Sequence, residues 1–156
     1  MELRLIAVGQ RMPRWVEEGW REFARRMPAQ LPLRLLEVPL GRRGRHQSID
    51  AALAEEGRRV LTAAGNARIV ALDCRGHPLS TSGVVARMEG WLQDGRDVAL
   101  LIGGPDGLYR ECLTQAEYRW CLSPLTLPHM LVRVIVAEQL YRAWTVLQNH
   151  PYHRGG

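Results

Sequence analysis

The sequence predicts a single α/β domain in which a parallel sheet is covered by helices on both faces. Short apolar runs typical of strands alternate along the chain with longer segments of helical spacing. The strand-like runs are almost continuously apolar, as expected for strands buried on both faces of a parallel sheet. The chain has 156 residues, of which 46% are hydrophobic, and this suffices for one core. We therefore expect one domain, residues 1–156.

Five strands and four helices are predicted in alternation. The predicted strands are residues 3–8, 33–38, 67–72, 97–102 and 118–122. The predicted helices are residues 13–26, a helix capped by Ser48 that ends near Ala64, residues 81–93 and residues 130–147. A loop rich in glycine and arginine is expected at residues 41–46, and a second loop is expected at residues 73–79, after the third strand.

The last predicted helix is apolar nearly all round. Aliphatic and aromatic residues from Leu131 to Leu147 leave little polar face. A helix of this kind must be buried on more than one side. In so small a domain, we expect part of its surface to contact a second subunit. The alternative is a central helix in a monomer.

Composition excludes several classes of site. All 21 basic residues are arginine, so a P-loop, a Schiff-base lysine and a Ser-Lys hydrolase are excluded. The net charge of +5 suits a polyanionic partner. Cys74, Cys112 and Cys121 form no CxxC pair, so we expect no disulfide, no thiolate zinc site and a reducing cytoplasm. No apolar stretch reaches the length of a membrane span, and no membrane association is expected.

Two loops at predicted strand ends have the composition of a ligand pocket. The fourth strand runs into Gly103-Gly104, and the fifth runs into a proline-bounded aliphatic loop at residues 123–128. Ligands of parallel α/β sheets bind at the carboxyl ends of strands, where glycines let them approach the backbone. Such a loop can offer backbone amides and carbonyls to a flat heterocycle. The alternatives are a simple glycine turn and a structural connector.

The terminal segment, residues 148–154, is polar, aromatic and basic. Stacking and phosphate contacts by Tyr152, His153 and Arg154 would suit an RNA substrate. The alternative is a frayed and dispensable tail. The spacing His150-x-x-His153 lacks a carboxylate or thiolate to complete a metal site, so no metal is predicted.

An ordered set of motifs extends over nearly the whole chain. The motifs are Val8-Gly9, Met12-Pro13-x-Trp15, Gly41-Arg42-Arg43-Gly44, residues 101–107, residues 123–129, Val132-Arg133-x-x-x-Ala137-Glu138-x-Leu140-Tyr141-Arg142-Ala143 and residues 149–154. This set resembles the RlmH (YbeA-like) branch of the SPOUT methyltransferases. The final Gly155-Gly156 lies beyond the pattern, and we expect it to extend free.

The resemblance implies a fold, a cofactor and a reaction. The fold would contain a deep trefoil knot formed by the C-terminal segments, and the assembly would be an obligate homodimer. The reaction would be methylation of N3 of a pseudouridine in the 23S rRNA of the ribosome, with S-adenosyl-L-methionine bound in the knot. The implied cofactor contacts are Leu72, Asp73, Gly103, Gly104, Ser123, Pro124, Leu125, Thr126, Leu127 and Pro128.

Methyl transfer from a sulfonium needs alignment of three atoms and removal of the N3 proton. We hypothesise that Arg142, His153 and Arg154 hold the base and stabilise developing negative charge. Glu138 or His129 is a further candidate for the proton. Alternatively, Glu138 and Arg142 only pair at i,i+4, and His129 only caps the last helix.

Arg42, Arg43 and Arg45 form the densest basic cluster and are predicted to bind RNA phosphates. A solvated loop is the alternative. Two other functions are left open by the residues themselves. One is a non-catalytic ribosome-associated module that uses the same basic tail, and the other is a hydrolase on a similar frame. No G-x-S-x-G motif supports the hydrolase.

Overall fold

The computed structural model describes residues 1–155 and contains a five-stranded parallel sheet. The strands are β1 Leu3–Val8, β2 Leu33–Val38, β3 Arg68–Pro78, β4 Val98–Ile102 and β5 Tyr118–Cys121. The helices are α1 Arg14–Ala24, α2 Ile49–Ala64, α3 Thr81–Asp94, α4 Arg110–Gln115 and α5 His129–Leu147, followed by a short 3-10 helix, Pro151–Gly155. The predicted α/β class with a parallel sheet is confirmed. Gly155, expected to extend free, is instead the last residue of the 3-10 helix, and the expectation for Gly156 falls outside the described residues.

The strand order is β2-β1-β4-β3-β5, and side chains alternate between two apolar layers. On β1, Leu3 and Leu5 pack into the layer that contains α1, α3 and α5. Ile6 and Val8 pack into the opposite layer, with α2 and α4. All four side chains are at most 1% exposed. Burial of each contributes about 1.5–3 kcal/mol, which explains why the strands are apolar at successive positions.

Two helices begin after a serine N-cap whose side chain accepts a hydrogen bond from a backbone amide. The Ser48 Oγ accepts a hydrogen bond of 3.1 Å from the Ala51 amide at the start of α2, as predicted. Ser80 accepts one of 3.1 Å from the Gly83 amide at the start of α3. At the other end of α3, Gly95 has a φ of +81°, a conformation that glycine adopts at little cost.

Two predicted elements differ from the structure. The prediction of a loop at residues 73–79 is wrong as far as residue 78, because β3 continues to Pro78. Its pairing with β5 is nevertheless interrupted after Leu72 and resumes at His77. The short helix α4 was not predicted, since its six residues span less than two turns and give no helical periodicity. The remaining boundaries differ by at most two residues.

Helix α5 packs between α1 and α3 on one face of the sheet. Val134 on α5 fits against Gly19 on α1, where an added Cβ would lie 3.3 Å from Val134 Cγ1. Every residue of α5 is buried or half-buried within one chain. Much of its apolar surface is therefore covered by the same protomer, and contact with a second subunit stays a prediction. No helix among residues 1–155 has the length and hydropathy required to cross a membrane.

A buried arginine ties α5 to the ends of two strands. Arg133 is fully buried, and its Nη1 donates to the Glu37 carboxylate at 2.7 Å. Its Nη2 donates to the Gly9 carbonyl, also at 2.7 Å. Glu37 belongs to β2, and Gly9 follows β1 directly. The guanidinium thus fixes the first turns of α5 relative to the carboxyl edge of the sheet.

Replacing Arg133 with methionine should lower the free energy of unfolding by about 2 kcal/mol or more. The variant keeps much of the side-chain volume but leaves the Glu37 carboxylate and the Gly9 carbonyl without this donor. Urea denaturation measures the change. Arg14→Met removes an exposed ion pair on α1 and is the matched control, with an expected midpoint close to wild type. Equal midpoints for both variants would contradict the structural role of Arg133.

Candidate functional site

A cavity of about 230 Å³ opens at the carboxyl ends of β4 and β5 and at residues 72–74 of β3, where the pairing of β3 with β5 is interrupted. These parts of the strands are neighbours because β3 lies between β4 and β5 in a parallel sheet. The first turn of α5 closes the cavity. Its lining consists of Leu72, Asp73, Cys74, Ile102, Gly103, Gly107, Trp120, Leu122, Ser123, Leu125, Thr126, Leu127, His129 and Val132. A mostly apolar cavity with a few polar groups is the usual form of a small-molecule site.

The glycine turn after β4 forms one wall of the cavity, and it leaves no room for a side chain at Gly103. A Cβ on Gly103 would lie 2.4 Å from the Gly107 carbonyl carbon, so only glycine fits there. Gly107 has a φ of +81° and donates to the Gly104 carbonyl at 3.0 Å, which closes the turn. Gly103, which is predicted to contact the cofactor, lines the cavity. Gly104 does not, since it packs against Val8 and Leu40 on the other side of the turn.

The loop after β5 forms a second wall. Ser123 lines the cavity, and its Oγ accepts a hydrogen bond of 3.0 Å from the Leu125 amide, which tightens the loop. Leu125 is 72% exposed and lies at the cavity mouth. The predicted contacts Pro124 and Pro128 do not line the cavity. Pro128 instead precedes α5 as its N-cap residue, where a fixed φ favours the start of a helix.

Asp73 places a buried carboxylate in this apolar cavity. Its side chain is 8% exposed, and Oδ1 accepts a hydrogen bond of 3.1 Å from the Arg75 amide. Oδ2 is buried and has no hydrogen-bond partner among the described residues. An unpaired buried acceptor is costly, so it favours a ligand that donates a hydrogen bond there. The cavity therefore fits a partly apolar ligand that carries a hydroxyl or an ammonium group.

His129 is half-buried at the start of α5 and lines the same cavity. Burial, with a smaller contribution from the nearby Arg133 guanidinium, lowers the pKa of His129 below its usual value. The imidazole is consequently neutral near pH 7 and can accept a proton. The N-cap position itself belongs to Pro128, one residue earlier. His129 thus lies where sequence reasoning placed a candidate for proton removal.

Glu138, Arg142 and Tyr152 form a separate cluster. Arg142 Nε donates to Glu138 Oε1 at 2.9 Å, and the Tyr152 hydroxyl donates to the same oxygen at 3.0 Å. Gln139 donates to the other oxygen at 2.7 Å. The i,i+4 pairing considered as an alternative is therefore present. Because three donors hold this carboxylate, it is poorly placed to act as a free base.

The terminal segment is folded against α5. Tyr152 meets Tyr141 edge to face, with ring centroids 4.8 Å apart, and the Arg142 guanidinium lies 5.2 Å from the Tyr152 ring. Burial and the hydrogen bond to Glu138 raise the pKa of Tyr152, so the phenol remains a donor. Tyr152, predicted to stack on RNA, thus packs against the protein. His153 Nδ1 is buried without a partner among residues 1–155, and Arg154 is exposed.

Within one chain this cluster lies far from the cavity. His129 is the first residue of α5, and Arg142 lies thirteen residues later on the same helix. At 1.5 Å per residue, the two backbones are about 20 Å apart along the axis. The structure therefore brings His129 to the cavity but does not bring Arg142 there from the same protomer.

The arginine loop lies beside the glycine turn. Arg43 Nη1 binds the buried Glu56 carboxylate at 2.7 Å, and its Nη2 binds Asp106 at 2.9 Å. Arg43 thus connects the loop to residue 106 of the glycine turn, and its charge is largely compensated. Arg42 and Arg45 are exposed. Of the three predicted phosphate contacts, these two present their side chains to solvent.

Sequence reasoning missed several cavity residues. Ile102 and Leu122 directly precede the predicted contacts Gly103 and Ser123, so strand position could have found them. Cys74 directly follows the predicted contact Asp73, so the same reasoning from position could have found it. The side chains of Trp120 and Val132 enter the cavity only through strand pairing and helix packing. Among the described residues, no three His, Cys, Asp or Glu side chains form a cluster suited to a metal ion.

Comparisons with known proteins identify the family of the chain. The family model described as "Predicted SPOUT methyltransferase" matches residues 1–153. The chain is 59% identical over 154 residues to the ribosomal RNA large subunit methyltransferase H of Alkalilimnicola ehrlichii, covering 99% of each chain.

Two solved structures share the fold. One is a methylase family protein from Neisseria gonorrhoeae, with a TM-score of 0.54 at 15% identity, covering 89% of this chain and 81% of that one. The other is a methylase family protein from Haemophilus influenzae, with a TM-score of 0.57 at 12% identity, covering 96% and 69%. By its sequence, the chain belongs to the SPOUT methyltransferase family, in the branch that holds the ribosomal RNA large subunit methyltransferase H proteins.

Proposed function

We propose that this protein transfers a methyl group from S-adenosyl-L-methionine to N3 of a pseudouridine in 23S rRNA, acting on the ribosome in the cytoplasm. The observation that carries the proposal is the cavity between β3 and the ends of β4 and β5, with its glycine wall and buried carboxylate. The 59% identical relative is named as a methyltransferase of large-subunit ribosomal RNA, which supports the substrate class. Pseudouridine N3 is the position that the family resemblance implies.

The cavity residues suit this methyl donor. The aliphatic side chains of Leu72, Leu122 and Leu127 can pack on the faces of an adenine ring. The Gly103 backbone leaves room for close approach of the ligand. The free Oδ2 of Asp73 can accept a hydrogen bond from a ribose hydroxyl or the ammonium group. The apolar and the polar parts of the cavity thus each have a counterpart in the donor.

The donor supplies a sulfonium methyl group, which an attacking nitrogen can displace in line. The protein has to align that nitrogen with the methyl carbon and to accept the N3 proton. His129, neutral near pH 7 and at the cavity, is the proton acceptor that the geometry favours over Glu138. Arg142, His153 and Arg154 would donate to the base carbonyls and stabilise the anion that forms at N3.

This assignment requires a second copy of the chain. Arg142 lies about 20 Å along α5 from the cavity of its own protomer. In a homodimer, the terminal segment of one subunit can lie at the cavity of its partner, so that the two groups meet across the interface. The family resemblance implies both this homodimer and a trefoil knot, and they are part of the proposal.

A non-catalytic ribosome-binding module is the competing function. Such a module would use the basic tail but would have no need for a cavity with a buried, unpaired carboxylate. Titration calorimetry with S-adenosylhomocysteine separates the two proposals. Saturable binding by the wild-type protein supports the methyltransferase, whereas the absence of binding heat would support the module and exclude the proposed enzyme.

Replacing Asp73 with asparagine should weaken the affinity for S-adenosylhomocysteine about tenfold, or about 1.4 kcal/mol, because the carboxylate charge is lost while the shape is kept. The same calorimetry measures the change. Asp50→Asn, in the exposed first turn of α2, removes one negative charge away from the cavity and should bind like wild type. Equal affinities for the two variants would exclude Asp73 as a donor contact.

Alanine at His153 or Arg154 should reduce rRNA methylation by about 100-fold or more, since a contact to the reacting base is lost. The affinity for S-adenosylhomocysteine should stay within about twofold of wild type. Radiolabelled methyl transfer to ribosomes gives the rate, and calorimetry gives the affinity. Arg96→Ala, in an exposed loop before β4, is the control. Wild-type turnover in both tail variants would refute their role.

The double variant Arg42→Ala/Arg45→Ala should bind ribosomes with a weaker salt dependence. Loss of two phosphate contacts should reduce the slope of log K against log salt by about 1.4 for single-stranded RNA. Binding measured at several salt concentrations tests this. Arg58→Ala/Arg110→Ala removes two exposed charges elsewhere and should keep the wild-type slope. An unchanged slope in the first variant would mean that the loop is only solvated.

A further inference from the structure

The continuation of β3 beyond the cavity forms an unusual excursion. Leu72 and His77 both pair with Trp120 on β5, so the four residues between them bulge out of the sheet. The excursion begins with Asp73 and Cys74, which line the donor cavity. It continues through residues 75 and 76, which border a second concavity of about 350 Å³. One short segment thus belongs to both sites.

A close backbone contact fixes this second concavity. A Cβ on Gly76 would lie 2.4 Å from the Arg119 carbonyl oxygen, so glycine is required where the excursion passes close to the backbone of β5. Tyr118 supports the same region, because its hydroxyl donates to the His77 carbonyl at 3.4 Å. The contact brings Arg75 and His77 from one strand beside Arg119 from the other. We call these three residues the basic concavity.

The positive charge of the basic concavity is poorly compensated. The Arg75 side chain is 79% exposed and approaches Asp73 only at 3.7 Å. Arg119 Nε donates to a backbone carbonyl, that of Leu113, at 3.3 Å. Glu117, an acidic residue of the same lining, is bound to Arg68 at 3.0 Å. Two guanidinium groups therefore face solvent beside a carboxylate that another arginine already neutralises.

We propose that the basic concavity binds the phosphodiester backbone of the substrate RNA next to the target nucleotide. The inference rests on the proposed function, because it assumes that an RNA base enters the adjacent cavity. A base that reaches the cavity must bring its own backbone past the cavity mouth. Arginine side chains suit phosphate, which they contact by two parallel hydrogen bonds. The excursion places Arg75 only two residues from Asp73, so phosphate and methyl donor are held by one continuous segment.

The test compares two double variants that each lose two exposed positive charges. Arg75→Gln/Arg119→Gln changes the basic concavity, whereas Arg58→Gln/Arg96→Gln is the matched control, with sites on α2 and in the loop before β4. Urea denaturation checks that both variants are folded. The readouts are methylation kinetics on ribosomes at several salt concentrations, binding to protein-free 23S rRNA, and calorimetry with S-adenosylhomocysteine.

We expect KM for ribosomes to rise about tenfold in the Arg75/Arg119 variant, with kcat near wild type. Its salt slope should fall by about 1.4, and protein-free rRNA should also bind more weakly. Affinity for S-adenosylhomocysteine should be unchanged, since neither guanidinium lines the donor cavity. The control variant should match wild type in every readout.

Two outcomes would refute phosphate binding by the basic concavity, and a third would refute the proposed function as well. Equal KM values and salt slopes for the two double variants would refute the basic concavity while leaving the methyltransferase intact. Weaker action on ribosomes with unchanged binding to protein-free rRNA would indicate an acidic ribosomal protein and refute the RNA assignment. If the wild-type protein neither binds S-adenosylhomocysteine nor methylates ribosomes, the proposed function fails, and the inference fails with it.

Discussion

The parallel direction of all five strands is the constraint on which the rest of the molecule depends. Every strand ends at the same edge of the sheet, and the order β4-β3-β5 makes three of those ends neighbours. Parallel pairing of these strands brings residues that are distant in the sequence to this edge. Glycine after β4, a carboxylate within β3 and a serine loop after β5 thus share one cavity.

The start of α5 has to be held against that edge for the cavity to exist. Arg133 supplies this restraint, because one guanidinium binds both the Glu37 carboxylate and the Gly9 carbonyl. Burial, and to a smaller extent the positive charge of Arg133 one turn away, lowers the pKa of His129. The residue that positions the helix therefore also contributes to the electrostatics of the cavity.

The two ends of α5 present different functional groups. The first turn borders the donor cavity, whereas the later turns hold the Glu138, Arg142 and Tyr152 cluster. A rigid helix keeps these groups apart within one protomer, so they can act on one substrate only through a second copy. The nearly all-round apolar character of α5 agrees with burial by both its own chain and a partner, as the proposed homodimer requires.

The sequence by itself determined the α/β class, four of the five strands to within about two residues, the Ser48 cap and the two loops that meet at the cavity. These features follow from local periodicity and from the rule that parallel strands bind ligands at one edge. Tertiary structure decided which loop residues face inward: Gly103 and Ser123 do, whereas Gly104, Pro124 and Pro128 do not. It also decided the length of β3 and the partners of Arg43, because strand pairing and ion pairs join residues that are distant in sequence and leave no local pattern.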